Sequence, residues 1–164
     1  MRITGLNHAV LYVRDANRHA AFYRDVLGFV DVTMDPDGRY AFMRAGGSPN
    51  HHDIAFFTIG EGARSSDAGA GAVGLYHLAW EVPTLADLLE TEQRLREVGA
   101  LAGASDHGVN KSLYAKDPDG IEFEVMWLSP VESWGDAATR AVIEPLDIAA
   151  EIERFGARTL GANQ

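Results

Sequence analysis

Two apolar, strand-like runs of this chain each carry a histidine near their start, His8 in LNHAVLYV and His77 in LYHLAWEV, 69 positions apart. The same step from Ala55, in HDIAFF, lands on Glu124, in IEFEVMW. Neutral imidazole and carboxylate are ligands of divalent transition metals, and two histidines with one carboxylate leave coordination positions open. A single histidine in such a run is ordinarily a core side chain bonded to a carbonyl. Two in one repeat register point instead to a duplicated fold with a ligand from each half.

The elements that must position these residues read as two copies of one series. A strand at about 5–13 leads to a helix at about 16–27, started by Asp15 and ended by Gly28. Strands follow near 29–34, 39–45 and 53–59, separated by the turn PDG and the loop GGSPN. After a glycine- and alanine-rich connector at 60–74 the series restarts: strand 75–82, helix 84–98 ending at Gly99, and strands near 101–103, 111–116 and 121–128, with DPDG as the last hairpin turn. Each half is therefore β-α-β-β-β. In the tail, Ile148, Ile152 and Phe155 make one apolar helical stripe, Trp134 is a candidate anchor, and the residues after Gly156 are expected to fray.

Composition bounds the function. The 164 residues are 46% apolar and carry a formal charge of −10, spread along the chain rather than blocked. Phosphate binding needs clustered Lys and Arg, so no nucleic-acid or membrane partner is expected and a small molecule is. The absence of cysteine excludes disulfides, thiol nucleophiles and Cys-ligated metals. MRITGLNH has no signal-peptide pattern, and no apolar stretch approaches membrane-spanning length, so a soluble, cytoplasmic protein is expected.

The doubled series, with NHAVLYVRD at its start and SLYAKDPDGIEFEV near its end, resembles the vicinal oxygen chelate superfamily of glyoxalases, bleomycin resistance proteins and dioxygenases. The resemblance covers roughly residues 4–130. It implies an α+β fold in which two paired β-α-β-β-β modules form a U-shaped, barrel-like mixed sheet around a metal, with a C-terminal helical tail. The domain reading is one vicinal oxygen chelate domain over 1–130, module one about 4–60 and module two about 74–128, then a helical extension over 131–164. A homo-oligomer, dimer or larger, is expected.

Within that resemblance His8, His77 and Glu124 match the metal-ligand positions. Glu122, on the same strand face as Glu124, is the rival third ligand; Glu124 is preferred because it lies four residues after Gly120, ten after Tyr114, and symmetric with Ala55. Glyoxalases carry a fourth ligand, a carboxylate, where this chain has Ala55. Three ligands suit the open facial arrangement of non-haem Fe(II) oxygenases, with Mn(II) the alternative metal.

HHDIAFF and DHGVNKSLY resemble segments of type I extradiol ring-cleavage dioxygenases and nominate three catalytic residues. His52 falls where those enzymes place a histidine facing the oxygen site, His51 being the fallback. His107 falls where they place an acid–base histidine, and Tyr114 where they place a tyrosine, although the His107–Tyr114 spacing is two residues shorter here. His52 and Ala55 differ by three and would face opposite ways in a regular strand, so a bulge or a strand start at His52 is required. Asn110 is a candidate to orient the loop.

His19 reads as a solvated helix position. Arg44 and Arg64 read first as surface charges, a substrate carboxylate being the alternative. The implied activity is Fe(II)-dependent insertion of O2 into a catechol-type diol, giving a ring-opened semialdehyde. The alternatives are a non-redox metalloenzyme of the same superfamily (a glyoxalase-like lyase, an epimerase or a thiol transferase) and a metal-free binding or resistance protein.

Overall fold

Asp15 accepts hydrogen bonds from the backbone N–H groups of Asn17 and Arg18, and Gly28 leaves the helix in the left-handed conformation at φ 72°. Those two caps bound α1, Ala16–Leu27, at the ends the sequence marks. In a computed structural model describing all 164 residues, the contacts divide the chain into two units, Met1–Ser66 with Pro118–Gly120, and Asp67–Asp117 with Ile121–Gln164.

The first unit contains β1 (Ala9–Val13), α1, β2 (Val30–Met34), β3 (Tyr40–Arg44) and β4 (Ile54–Thr58). They form a four-stranded mixed sheet in the order β1-β4-β3-β2, with β1 parallel to β4 and the other pairs antiparallel. Ala16, Ala20, Tyr23 and Val26 of α1 are buried, as are Ala41, Met43, Ile54 and Phe56 of the sheet. Tyr23 is the centre of this layer, its ring edge-on to Phe29 and tilted against Phe56.

His19 departs from expectation. It is fully buried, its Nδ1–H donating to the Asp15 carbonyl at 2.9 Å and its ring 5.3 Å from Phe56. That bond satisfies Nδ1 from the helix's own first turn, and Nε2 faces the Asp119 carboxylate at 3.8 Å, so the polar side chain can lie on the buried face.

Asp119 of the DPDG turn is also in this unit. Its carboxylate accepts from the Arg14 backbone at 2.6 Å, from the Arg14 guanidinium at 3.1 Å and from Arg18 at 2.9 Å. Burial opposes its charge, but the Arg14 bonds outweigh burial and hold its pKa below the ordinary carboxylate value.

The PDG turn carries a second carboxylate of this kind. Asp35 accepts two guanidinium bonds from Arg39, each 2.8 Å, and the Arg39 backbone N–H at 3.0 Å. Those bonds lower its pKa from 3.8 to about 2. A depressed folded-state pKa contributes stability that is present above the unfolded value and lost as pH falls through the folded one. Wild-type protein is therefore expected to lose stability between about pH 4 and pH 2 at this turn. Asp35→Asn should flatten that part of the melting temperature against pH, with an unchanged slope counting against the assignment.

The second unit contains β5 (Leu78–Glu81), α2 (Leu85–Glu97), β6 (Leu101–Asp106), β7 (Asn110–Lys116), β8 (Glu122–Leu128) and, after two 3-10 turns, α3 (Ile148–Phe155). Its sheet order, β5-β8-β7-β6, repeats that of the first unit, again with only the first pair parallel. Thr84 caps α2, whose Leu85, Leu88 and Leu95 are fully buried, as are Leu113 and Trp127 of the sheet.

The repeat extends to register. Ala55 on β4 lies between Val10 of β1 and Phe42 of β3, and Glu124 on β8 lies between Ala79 of β5 and Tyr114 of β7. Both first strands start later than the apolar pattern suggests, so His8 and His77 each sit one residue before a strand. In the first case the ladder begins where Ala9 N–H reaches the Asp53 carbonyl, at 2.9 Å.

The tail packs on its own unit. Ile148 is buried, the Phe155 ring lies 5.3 Å from that of Trp127, and the Trp134 indole N–H donates to the Ser129 carbonyl at 2.8 Å. The residues after Gly156 do not fray. Ala86 N–H bonds the Ala157 carbonyl at 2.8 Å, Gly161 N–H the Pro83 carbonyl at 2.9 Å, and Ala162 N–H the Leu128 carbonyl at 3.0 Å. A side chain at Gly161 would place its Cβ only 3.0 Å from the Leu128 oxygen, so glycine permits this approach.

Candidate metal centre

In the second unit the register of β8 against β5 sets Glu124 beside His77. The carboxylate is buried, at 6% exposure, and its Oε2 lies 3.1 Å from His77 Nε2. Asn110 Nδ2 donates to the other oxygen at 3.3 Å and to Ser112 Oγ at 2.6 Å, which holds the carboxylate in place. No Lys or Arg pairs with it. Two ligand atoms bound at right angles to one metal, each at about 2.1 Å, are separated by roughly 3 Å, so this pair already has the spacing of adjacent ligands. Glu122 is differently engaged: it faces the Tyr76 hydroxyl and is the main cause of that phenol's raised pKa.

Tyr114, paired with Glu124 in register, has its ring 5.9 Å from that of His77. Its hydroxyl donates to His107 Nε2 at 2.8 Å, and His107 Nδ1–H donates to the Val142 carbonyl at 2.7 Å. Those two bonds fix the tautomer, with Nε2 as acceptor. Burial first, and then the charge of Glu124, push the Tyr114 phenol up, so it stays protonated at neutral pH. The His107–Tyr114 pair nominated from sequence is thus brought together despite its shortened spacing.

The carbonyl that fixes His107 comes from the tail, which is tied to the loop by several bonds. Asp106 and Glu144 exchange backbone hydrogen bonds of 2.8 and 2.9 Å. Asp106 also accepts from Gly108 N–H at 2.7 Å and from Lys111 Nζ at 2.6 Å, and fully buried Lys111 reaches Glu151 of α3 at 3.2 Å. Gly108 has φ 77°, and a Cβ there would lie 2.5 Å from that of Ala137. Gly108→Ala is therefore expected to cost about 1–3 kcal/mol in urea unfolding and to shift the His107 imidazole nitrogen resonances as the Val142 bond loosens. An unchanged tautomer signal in the variant would show that the tail does not set it.

In the first unit His8 Nδ1–H donates to Asn7 Oδ1 at 2.8 Å, which leaves Nε2 with the lone pair for a metal. Asn50 of the GGSPN loop holds Asn7 in turn, its amide donating to the Asn7 carbonyl at 3.0 Å and to Asp53 at 2.8 Å. His52 precedes β4, so the strand alternation that would turn it away from Ala55 does not apply. Its ring lies 4.5 Å from His8 and 5.1 Å from Phe42, the neighbour of Ala55. Burial, then the adjacent His8 and His51, lower its pKa. His51 is exposed, with Nδ1 3.1 Å from that of His52.

Of the three candidate ligands the structure pairs His77 with Glu124, while His8 belongs to the other unit. No three His, Asp or Glu side chains converge as a metal cluster. The residues fit a divalent ion because Glu124 is a buried carboxylate whose charge no fixed cation offsets, with the Nε2 of His77 beside it at the spacing of adjacent ligands. Asn7, Asn50 and the Val142 carbonyl escape sequence reasoning. Only the adjacency of Asn7 to His8 could have hinted at one of them.

A family profile, the Glyoxalase/Bleomycin resistance protein/Dioxygenase superfamily, matches residues 5–125. The chain is 34% identical over 132 residues to biphenyl-2,3-diol 1,2-dioxygenase 3 of Rhodococcus globerulus, covering 78% of this chain and 67% of that protein. It is 30% identical over 132 residues to catechol-2,3-dioxygenase of Bacillus subtilis, covering 80% of this chain but 44% of the relative. Lactoylglutathione lyase of Salmonella typhimurium is 30% identical over 128 residues, with 74% of this chain and 90% of the lyase covered. Among solved structures, a glyoxylase/bleomycin resistance protein/dioxygenase domain from Frankia shares the fold at a TM-score of 0.64 and 23% identity, covering 76% of this chain and 98% of that domain.

Proposed function

This chain belongs to the glyoxalase/bleomycin resistance protein/dioxygenase superfamily, and within it we propose that it cleaves the ring of catechol-type diols with dioxygen, using Fe(II) held by His8, His77 and Glu124. The observation that carries this reading is the alignment of Tyr114, hydrogen-bonded to His107 at 2.8 Å, with the buried His77–Glu124 pair. Both atoms of O2 enter the product and one ring carbon–carbon bond beside the diol breaks, so no external reductant is needed.

Bound Fe(II) supplies a Lewis-acidic, redox-active centre at which a diol and dioxygen meet. Asn110 keeps the Glu124 carboxylate aimed, and Asn7, by accepting from His8 Nδ1–H, orients the ring so that Nε2 is the ligating nitrogen. A proton leaving the diol is taken up at the Tyr114 oxygen as Tyr114 passes its own to His107 Nε2, so the phenol carries no lasting charge. Neutral His52 supplies an N–H donor for negative charge developing on the reacting oxygen. Tyr40, Phe42 and Phe57, mutually in ring contact, provide an apolar surface for an aromatic ring.

A second reading, a glyoxalase-like lyase, is supported by similarity, since the match at 30% identity extends over 90% of the lyase relative. Ala55 weighs against it, because a methyl cannot supply a fourth ligand. The experiment is anaerobic reconstitution with Fe(II), Mn(II) or Zn(II), addition of a catechol panel, then oxygen, following oxygen uptake and a yellow ring-fission product. Uptake with Fe(II) or Mn(II) supports the dioxygenase. No uptake with any diol, together with isomerisation of a thiol–aldehyde adduct, would replace it with the lyase.

A further inference from the structure

Arg44 closes β3, and β3 runs antiparallel to β4, so this arginine lies at the end of the sheet where β4 begins and His52 leads in. β1 runs parallel to β4 and starts at the same end, directly after His8. Along β3 the fully buried Ala41 and Met43 alternate with the half-buried Tyr40, Phe42 and Arg44, so Arg44 shares the face of Phe42, whose ring is 5.1 Å from His52. Arg44 is two strands from His8 across the sheet, about 10 Å.

The guanidinium of Arg44 has no carboxylate. Its Nε is buried without a hydrogen-bond partner. The acids that adjoin it in strand register are already engaged: Asp53, just before β4, accepts from Ala45 N–H, Ser48 Oγ and Asn50 Nδ2, and Asp31 of β2 is bound by Arg24. This contrasts with Arg14, Arg18, Arg24, Arg39, Arg94, Arg96 and Arg154, all of which are ion-paired, in a chain with 24 acidic and 14 basic residues. Withholding a carboxylate from a half-buried guanidinium in so acidic a chain costs stability, and a ligand anion restores the missing bonds.

We propose that Arg44 is an anion subsite and that the substrate is a diol whose ring carries a carboxylate on the side away from the two hydroxyls. The planar guanidinium matches a carboxylate with two parallel bonds, and a single positive charge suits a monoanion better than a phosphate dianion. The separation from His8 suits a diol held at the metal ligands with its acidic side chain extended toward β3. This assignment rests on the diol-cleaving reading for its substrate, but not for the anion itself.

The test compares 3,4-dihydroxyphenylacetate, 4-ethylcatechol and 4-(2-aminoethyl)catechol on the Fe(II)-reconstituted protein. The acid is expected to have the highest kcat/KM and the amine the lowest. Arg44→Met should lower the acid-to-neutral selectivity ratio by about 10- to 100-fold, with Arg44→Lys restoring part of it. Equal selectivity in wild type and Arg44→Met would overturn the subsite while leaving diol cleavage intact. If no diol is cleaved, equilibrium dialysis with phenylacetate decides the anion subsite alone. Binding lost in Arg44→Met sustains it, and equal or absent binding in wild type and variant overturns it.

Discussion

Glu124→Ala is expected to abolish Fe(II) retention and to lower ring cleavage by at least about 1,000-fold, the several kcal/mol that a metal centre supplies to the transition state. The argument begins with burial. Glu124 is 6% exposed, 3.1 Å from His77, and steadied by Asn110, so its charge is held in place without a fixed cation. Metal binding to the folded protein should raise stability by about 2.7 kcal/mol at 100 times the dissociation constant, and Glu124→Ala should show no such rise. Glu124→Gln separates charge from shape: it retains a group able to meet Asn110 yet cannot ligate as an anion. Metal content by mass spectrometry and melting temperature with and without Fe(II) check both variants. A variant that holds iron as wild type does would remove Glu124 from the ligand set.

His52→Ala is expected to bind catechol with little change but to slow the oxygen-dependent step by about 100- to 1,000-fold, the usual loss when one donor to developing negative charge is removed. The ring of His52 faces His8 and Phe42 rather than solvent alone, and its lowered pKa keeps it a neutral donor. Rapid mixing of the anaerobic enzyme–catechol complex with oxygen isolates that step. Normal turnover by the variant would sink the role assigned to His52.

Much of this arrangement was legible in the sequence because local chemistry and repetition both report it. Asp15 and Gly28 marked α1 at both ends, and the 69-residue step placed Ala55 and Glu124 at matching strand positions. What was hidden depended on partners distant in the chain or on backbone atoms. His19 looked solvated because its neighbours are polar, yet the carbonyl one turn earlier lets it be buried. The last residues looked loose because they lack a periodic apolar pattern, and they are held by backbone bonds to residues near 83, 86 and 128. The acceptor for His107 is a main-chain oxygen 35 positions away, which no side-chain pattern encodes.

The shared register of the two sheets also bears on how such halves diverge. Since β4 and β8 meet their neighbours at matching rungs, Phe42 against Ala55 and Tyr114 against Glu124, the central strand positions of one half have defined counterparts in the other, although Phe42 and Tyr114 stand 72 residues apart and Ala55 and Glu124 stand 69. At these rungs the halves therefore offer a grafting map for single side chains. Ala55, fully buried beside Phe42, is the rung where one codon change would test how much chemical individuality a duplicated scaffold owes to a single missing side chain.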